Sequence, residues 1–422
     1  MPTFEVRLEG HAYGGESIGR LPDGRAVFVP LALPGELVRI ELVEEKRGFC
    51  RARLVEVLEA SPDRVEPHCP HFGACGGCHY QHMRYAAQLE AKQAVLRDQL
   101  ERIGGLRQPR LSEPVSAPQP YNYRNYVQFH LTPEGQLGYH RPRSQEVLAV
   151  KECHLPEPLI NAVWPRLEFE PGSGIERVGL RLGAEDELLV TLESRNPESP
   201  ELRVEDLPVS VAHLSPAGAL TLAGSPEVTL EVLKRSFRVS AGSFFQVNTA
   251  MAERLVEQVI GLLEERGLLG PQTSALDLYC GAGLFSAFLR ERVERLVGVE
   301  ASPSAVEDFA YNLDEFTEVE IYEARVEQAL AALDFRPDIA LVDPPREGLD
   351  RKVVDWIVEA VPQALVYVSC DPATLARDAR RLTAGGYRLE EARLFDLFPQ
   401  TYHIESVSLW TRGETRARGT HV

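Results

Sequence analysis

The sequence predicts an α/β protein in which two mainly β regions precede a parallel, doubly wound sheet. From about residue 241 onward, short apolar segments alternate with helical segments, which is typical of a sheet covered by helices on both faces. Before residue 60, and again between residues 121 and 240, strand patterns are separated by glycine and proline turns. A chain of 422 residues has room for these three regions as separate domains.

The composition excludes several classes of protein. Hydrophobic residues make up 44% of the chain and charged residues 26%, as in ordinary globular proteins. No segment approaches the roughly 20 consecutive apolar residues of a membrane helix. The first ten residues contain Glu5 and no apolar run, so we expect no secretory signal and a cytoplasmic protein. The pattern indicates neither a membrane nor a protein partner, and we expect a monomer.

The net charge of −18 argues at first against a nucleic-acid ligand, because such proteins usually present a basic surface. The charge is unevenly distributed, however. Residues 1–153 contain 19 basic and 19 acidic residues, and residues 84–151 contain 10 basic and 6 acidic residues. If RNA is the ligand, we therefore expect contacts from the N-terminal half and from a local basic lining of the active site.

Residues 1–60 form the first predicted domain. Strand candidates lie at 27–29, 37–42 and 52–58, and Gly14-Gly15 and Pro34-Gly35 are among the turns between them. Several short strands at this spacing predict either a small barrel of the oligonucleotide-binding (OB) type or a generic β-domain.

Residues 61–240 form the second predicted domain. Apolar residues at helical spacing predict a helix over 81–103, which Gly104-Gly105 ends, and this helix is a candidate to pack on the third domain. A proline-rich connector follows. Strand candidates at 126–131, 188–192 and 228–232 make the rest of this domain mainly β.

Residues 241–422 form the third predicted domain, which begins with a candidate cofactor site. A strand at 275–279 leads into a glycine-containing loop, Gly281-Ala282-Gly283, and the next strand ends in Glu300. Glycines let the backbone approach a ligand closely, and an acid at the end of the second strand can accept hydrogen bonds from ribose hydroxyls. The third glycine of the dinucleotide pattern is missing. The loop therefore favours S-adenosylmethionine (SAM) over a dinucleotide.

Three polar segments follow later strands. Asp343-Pro344-Pro345-Arg346 forms either a stiff loop or a ligand-binding turn at the carboxyl edge of the sheet. Cys370 lies between a strand and a helix, where a thiol is either inert or activated as a nucleophile. His403 and Glu405 are two residues apart, and on a strand they share a face, as a surface ion pair or as part of an active site.

Together these groups suit one reaction. Carbon 5 of uracil is a poor nucleophile, but addition of a thiolate to carbon 6 converts the ring into an enolate whose carbon 5 attacks a methyl donor. The reaction needs a cysteine, a base, hydrogen-bond donors for the enolate and bound SAM. The sequence supplies a candidate for each.

The motifs resemble those of the RNA (uracil-5-)-methyltransferase family over nearly the whole chain. The matching segments, in order, are Phe-Phe-Gln-Val-Asn at 244–248, Leu-Asp-Leu-Tyr-Cys-Gly at 276–281, Asp-Pro-Pro-Arg-x-Gly at 343–348 and Phe-Pro-x-Thr-x-His-Ile-Glu at 398–405. The N-terminal region resembles the family's TRAM domain, an OB-like RNA-binding barrel. The resemblance implies a SAM-dependent methyltransferase fold for the third domain and RNA as the substrate.

The resemblance also implies roles for individual residues. Cys370 corresponds to the nucleophile and Glu405 to the proton acceptor. Four positions correspond to SAM-binding residues: Gln246, Tyr279, Glu300 and Asp343. Phe244 resembles the residue that stacks on the flipped uracil. From its charge and proximity alone, Arg346 is a candidate to stabilise the thiolate or the enolate.

Two positions depart from the family pattern. Asp371 follows the nucleophilic cysteine where many members have Asn, and a carboxylate there raises the thiol pKa unless it is paired or turned away. Leu284 stands in the glycine loop where several members carry Asn, so one contact to SAM is either lost or made by the backbone.

Four cysteines are spaced as metal ligands rather than as disulfides. Cys69, Cys75 and Cys78 lie close together, and Cys153 follows 75 residues later. Four thiolates hold either Zn²⁺ or an iron–sulfur cluster, and the spacing alone does not decide between them. The resemblance to the 23S rRNA branch of the family implies a [4Fe–4S] cluster, with Zn²⁺ as the alternative. The remaining thiols outside the active site, Cys50 and Cys280, are expected to be ordinary.

Several functions stay open at this point. The leading prediction is C5 methylation of a uridine in 23S rRNA, and the alternative within the family is uridine 54 of tRNA. An amino-group methyltransferase is disfavoured, because those enzymes carry an aromatic residue where Arg346 stands and need no thiolate. A non-catalytic iron–sulfur RNA-binding protein is the alternative of a different class.

Overall fold

The computed structural model describes residues 3–203 and 207–412. Residues 1–2, 204–206 and 413–422 of the predicted domains lie outside these ranges. Within it, a barrel, a mainly β region and an α/β region follow one another, which confirms the predicted fold class. No helix in the described ranges is long and apolar enough to cross a membrane.

The N-terminal region is a closed barrel of five strands in the order β1-β2-β3-β5-β4. The strands are β1 (Thr3–His11), β2 (Glu16–Arg20), β3 (Ala26–Pro30), β4 (Leu37–Glu45) and β5 (Phe49–Glu59). Inward and outward residues alternate along them, so that Val27, Val29, Val38 and Ile40 are completely buried. Burial of alternate β-branched residues is what the sequence pattern predicts for a small barrel.

The central region consists of a helix and a mostly antiparallel sheet. Helix α1 (Tyr85–Arg102) comes first, and a short helix α2 (Pro158–Val163) lies between the strands. The seven-stranded sheet has the order β12-β11-β10-β9-β6-β7-β8 and is followed by the hairpin β13-β14. Its strands are β6 (Tyr126–Leu131), β7 (Leu137–His140), β8 (Val147–Ala149), β9 (Ile175–Leu182), β10 (Leu188–Ser194), β11 (Ser210–Ser215) and β12 (Gly218–Ala223), and the hairpin strands are β13 (Glu227–Val232) and β14 (Arg235–Ser240).

The C-terminal region is a seven-stranded sheet in the order β17-β16-β15-β18-β19-β21-β20, covered by helices. Its strands are β15 (Gly270–Leu278), β16 (Val293–Glu300), β17 (Val319–Glu323), β18 (Ile339–Val342), β19 (Ala364–Ser369), β20 (Tyr387–Phe395) and β21 (Glu405–Arg412). Its helices are α3 (Thr249–Glu264), α4 (Leu284–Arg290), α5 (Pro303–Asn312), α6 (Val326–Ala332), α7 (Arg351–Ala360) and α8 (Pro372–Ala384). The first five strands of the order are parallel, whereas β21 is antiparallel to both neighbours.

Helix α1 belongs to the central region in sequence but packs on the C-terminal one. Its apolar face shares a core with α8, in a cluster that includes Val95, Leu96, Leu100, Leu375, Ala376 and Ala379. The Nζ atom of Lys92 lies 2.6 Å from Asp396 and 3.0 Å from the carbonyl oxygen of Phe398, and both charged side chains are buried. Removing one partner of such a pair costs about 3–5 kcal/mol, so the pair fixes α1 to the segment before β21.

Candidate active site

The carboxyl ends of the parallel strands meet at one edge of the C-terminal sheet. The strand order reverses between β15 and β18, and open α/β sheets bind their ligands at such a point. Tyr279, Asp343 and Cys370 directly follow β15, β18 and β19, and Glu300 ends β16. Since β21 runs antiparallel to β19, its first residue, Glu405, lies at the same edge.

This edge forms the floor of a cleft of about 1370 Å³. All eight residues that the sequence analysis assigned to catalysis, SAM or the uracil line it: Phe244, Gln246, Tyr279, Glu300, Asp343, Arg346, Cys370 and Glu405. The cleft also contains residues that the sequence analysis did not select, including Phe398 and four further arginines: Arg325, Arg351, Arg377 and Arg381. The structure therefore brings the predicted residues to one place.

The glycine loop shapes one end of the cleft. Gly283 has a φ of +90°, and a Cβ atom there would lie 2.6 Å from Leu313, so the close turn into α4 requires glycine. The backbone N–H of Gly281 donates to Glu300 at 3.0 Å, while the other carboxylate oxygen of Glu300 accepts from two N–H groups of the following loop. The acid is thereby held at the end of β16. Leu284 is almost fully buried and contributes an apolar wall.

A second acid lies beneath this end of the cleft. Asp277 is buried in β15, where one carboxylate oxygen accepts from Ser286 at 2.6 Å and the other has no hydrogen-bond partner. Burial raises the pKa of Asp277 to about 7, and burial together with Asp277 raises the pKa of Asp343 to about 8. Two acids, one with an unpaired oxygen, fit a positively charged ligand such as SAM. The sequence signal for Asp277 was an acid within an otherwise apolar strand.

A loop between β14 and α3 carries Phe244 and Gln246. The side chain of Asn125 donates to the carbonyl oxygen of Gln246 at 3.2 Å, and Arg181 donates to that of Ser243 at 2.7 Å, so the central sheet holds this loop in place. Gln246 is buried, whereas 67% of the surface of Phe244 is exposed. An exposed aromatic ring on a fixed loop leaves one face free for a planar ligand.

The other end of the cleft holds Cys370. Burial, followed by the carboxylates of Glu405, Asp343 and Asp371, raises the pKa of this thiol to about 12, and Arg346 opposes the shift. Burial and the charge of Asp343 also raise the pKa of Glu405 well above its usual range. Arg346 is thus the cation that counteracts the acids around the thiol.

The secondary structure at His403 differs from the one predicted. From their spacing, His403 and Glu405 were predicted to share one face of a strand, but β21 begins at Glu405 and His403 lies in the preceding loop. That expectation was wrong because the strand signal of the apolar residues after Glu405 was extended too far. The ring nitrogen Nε2 of His403 nevertheless lies 3.5 Å from Arg346. Burial, with Arg346 second, lowers the pKa of His403 to about 3, so its ring is neutral.

Asp371 caps the helix that follows the thiol. Its Oδ1 atom accepts hydrogen bonds from the backbone N–H groups of Ala373 and Thr374, both at 2.9 Å. Its Oδ2 atom accepts a hydrogen bond of 2.5 Å from the hydroxyl group of Tyr13, in the N-terminal barrel. Both carboxylate oxygens are therefore occupied. The sequence offered no signal for Tyr13, which is 358 positions away in the chain.

The four clustered cysteines line a second pocket, of about 550 Å³, which we call the cysteine pocket. They are Cys69, Cys75, Cys78 and Cys153, and all are free thiols. Burial raises the pKa values of all four thiols, and together with the neighbouring thiols it raises the pKa of Cys75 to about 11 and that of Cys78 to about 12. In the part of the chain that the structure describes, no group of three or more His, Cys, Asp or Glu side chains is arranged to hold a metal ion.

The cysteine pocket and the cleft are neighbours. They share wall residues, including Phe244, Phe245, Val247 and His403. Directly after Cys78, the backbone N–H groups of His79 and Tyr80 both donate to the carbonyl oxygen of Gln400, at 2.8 and 3.0 Å. The cysteine loop therefore supports the segment that leads into Glu405. Besides Cys370, two buried cysteines remain: Cys50 lies in the barrel core and Cys280 lines the cleft, and neither lines this pocket.

Comparisons with known proteins identify the family to which the chain belongs. A family model described as tRNA (Uracil-5-)-methyltransferase matches residues 225–412, and a TRAM domain model matches residues 2–55. A Streptomyces avermitilis protein described as an uncharacterized RNA methyltransferase is 36% identical, over 96% of this chain and 97% of that protein. The chain belongs to the RNA (uracil-5-)-methyltransferase family. An Aquifex aeolicus relative with the same description is 34% identical over 96% of this methyltransferase and 98% of its own length.

A solved structure supports the fold of the methyltransferase. The tRNA (uracil-54, C5)-methyltransferase of Pyrococcus abyssi, in complex with S-adenosyl-L-homocysteine, has a TM-score of 0.74 and is 24% identical. The matched region spans 97% of this methyltransferase and 100% of the Pyrococcus abyssi chain. The predicted family and the TRAM barrel are thereby confirmed, and the protein is an RNA methyltransferase.

Proposed function

We propose that this methyltransferase converts a uridine of 23S rRNA to 5-methyluridine through a covalent bond between Cys370 and carbon 6 of the uracil. The observation that carries the proposal is the common location of Cys370 and Glu405 at one end of the cleft, with Arg346 as the opposing charge. A nucleophile, a base and a cation then surround a single planar ligand.

The chemical steps balance with these groups. The thiolate of Cys370 adds to carbon 6, and the electron pair of the C5–C6 bond moves toward the carbonyl oxygen at position 4 as an enolate. The electron pair of the enolate then forms the bond from carbon 5 to the methyl group of SAM, whose bond to the sulfonium sulfur breaks, so that S-adenosylhomocysteine leaves as a neutral thioether. Glu405 takes the proton from carbon 5, the C5–C6 double bond forms again, and the C–S bond breaks to release the thiolate. Its raised pKa makes the Glu405 carboxylate a stronger base than an exposed one.

SAM supplies an electrophilic methyl group on a positively charged sulfur. Glu300, at the end of β16, is placed to accept hydrogen bonds from the ribose hydroxyls, while Tyr279 and Gln246 form the walls of the cleft around the ligand. The buried acids Asp277 and Asp343 favour a cation at this end. A positive charge in the cleft also lowers the pKa of Cys370 toward the range where a thiolate forms.

The substrate base has to leave its stack to reach the thiol, because attack on carbon 6 comes from above the ring. Phe244 is the exposed aromatic side chain at the cleft and is the candidate to stack on the flipped uracil. The cleft arginines provide phosphate contacts despite the overall charge of −18. The barrel adds a second RNA-binding surface, which favours a large folded RNA.

The choice of RNA is tested with purified methyltransferase and labelled SAM. We expect methyl transfer to 23S rRNA transcripts and none to tRNA transcripts, with 5-methyluridine as the product in mass spectrometry of the digested RNA. Transfer to tRNA alone would contradict the rRNA assignment and leave the chemistry intact. A product methylated at another atom would contradict the chemistry itself.

We further propose that the cysteine pocket holds a [4Fe–4S] cluster, with Zn²⁺ as the alternative. Four partly buried cysteine thiols that line one pocket are the donor set of such a cluster. Because methyl transfer requires no electron, the role of the cluster is structural. It fixes the cysteine loop against the segment before Glu405. Cys69, Cys75, Cys78 and Cys153 are the ligands.

Replacing Cys153 by serine is expected to remove the cluster. We expect the visible absorption of anaerobically purified protein to disappear and its iron content to fall from about four atoms per chain to nearly none. Cys50→Ala, which removes a buried thiol of the barrel, is the matched control and should keep its iron. Zinc without visible absorption in the unaltered protein would contradict the cluster and support the alternative.

A further inference from the structure

The barrel reaches into the active site through the turn between β1 and β2. The ring of Tyr13 packs edge-on against Tyr402, with ring centroids 5.9 Å apart. A Cβ atom at Gly15 would lie only 3.2 Å from Tyr402 and 3.3 Å from His79, and Gly15 has a φ of +86°. Glycine is therefore needed for this close approach. The turn lies against the segment before Glu405.

From this position, the hydroxyl group of Tyr13 completes the hydrogen bonding of Asp371. The cap of α8 occupies Oδ1, and Tyr13 donates to Oδ2. Without Tyr13, one oxygen of this carboxylate would have no partner next to Cys370. The backbone cap would still hold Oδ1, but the charge on Oδ2 would lose its hydrogen-bond donor beside the thiol.

We propose that Tyr13 is a positioning residue for the nucleophile: its hydroxyl group holds the Asp371 carboxylate in its capping position, so that docking of the barrel sets the reactivity of Cys370. The inference rests on the proposed role of Cys370. It assigns the RNA-binding barrel a part in the chemistry and explains how an aspartate is tolerated at a position where the thiol must ionise.

The electrostatics of the thiol explain the direction of the effect. Glu405 from β21, Asp343 and Arg346 from the loop after β18, and Asp371 from the cap of α8 all act on Cys370. Three of these four groups oppose ionisation of the thiol. Loss of the hydrogen bond from Tyr13 strengthens that opposition, because an Asp371 carboxylate without this donor has less of its charge compensated.

Tyr13→Phe keeps the ring packing and removes only the hydrogen bond. We expect kcat to fall about tenfold, as for loss of one hydrogen bond to a charged group, with an unchanged KM for RNA. We also expect alkylation of Cys370 by iodoacetamide, followed by mass spectrometry, to shift to higher pH. Tyr322→Phe, which removes the bond from an exposed tyrosine to Glu320, is the matched control and should change neither quantity.

A double-mutant cycle separates positioning from a general structural role. In an Asp371→Asn background there is no carboxylate charge to hold, so the additional Tyr13→Phe substitution should lower kcat little further. Any of three results would overturn the inference: an equal loss of kcat in both backgrounds, an unchanged pH profile of alkylation, or a higher KM for RNA with an unchanged kcat. The alkylation readout does not depend on methyl transfer, so a failure of the proposed function, seen as an active Cys370→Ala variant, is distinguishable from a failure here.

Discussion

RNA carrying 5-fluorouridine at the target position is expected to form a stable covalent complex with the methyltransferase, and Cys370→Ala is expected to form none. Fluorine at carbon 5 cannot leave as a proton does, so the reaction stops after methyl transfer with the C–S bond in place. With normal RNA, the same variant should lose at least about 10⁴-fold in turnover, because the ring has no other route to an enolate. A denaturing gel measures the complex, and labelled SAM measures turnover.

Cys50→Ala provides the control, since it removes a thiol that lies in the barrel core and not in the cleft. Its complex should form as in the unaltered protein. Normal turnover by Cys370→Ala, or a covalent complex that survives this substitution, would contradict the proposed mechanism. If the protein were a non-catalytic RNA-binding protein, neither the unaltered protein nor the Cys50→Ala variant would form the covalent complex.

The sequence predicted the cleft because of a property of parallel sheets. Residues that follow different parallel strands reach the same edge, so Tyr279, Asp343 and Cys370 could be brought together without any knowledge of loop structure. Glu300 follows the same rule at the end of its strand. The resemblance added Gln246 and Phe244. It also gave the role of proton acceptor to Glu405, which the sequence pattern had singled out together with His403.

The contacts between regions could not be predicted in this way. The hydrogen bond from Tyr13 to Asp371 and the ion pair between Lys92 and Asp396 join residues that are 358 and 304 positions apart. Such pairs depend on how separate folding units dock, and neither residue periodicity nor turn signals carry that information. Asp371 shows the consequence: from sequence it was a departure that hinders the thiol, whereas the structure provides it with partners.

The two regions that precede the catalytic sheet both act on its active site. The barrel contacts Asp371 through Tyr13, and the cysteine loop holds the carbonyl oxygen of Gln400. Helix α1 adds the buried pair of Lys92 and Asp396. The nucleophile and the base are therefore supported by different parts of the chain.

Replacing Glu405 by glutamine is expected to stop the reaction after methyl transfer with natural RNA. The amide cannot accept the proton of carbon 5, so the methylated adduct should accumulate with its C–S bond intact. Loss of a general base lowers turnover by about 10²–10⁴-fold, and a buried base with a raised pKa belongs at the upper end of that range. A denaturing gel should show a covalent complex that carries label from SAM, without any fluorinated base.

This outcome distinguishes Glu405 from a residue that only shapes the cleft. Removal of a purely structural carboxylate would lower turnover without accumulation of adduct, and removal of a SAM contact would raise the KM for SAM. Glu307→Gln, at an exposed position on α5, serves as the control and should leave turnover unchanged. If Glu405→Gln releases methylated RNA at the normal rate, another group removes the proton. Asp343 is then the next candidate, since it lines the same cleft with a pKa raised to about 8.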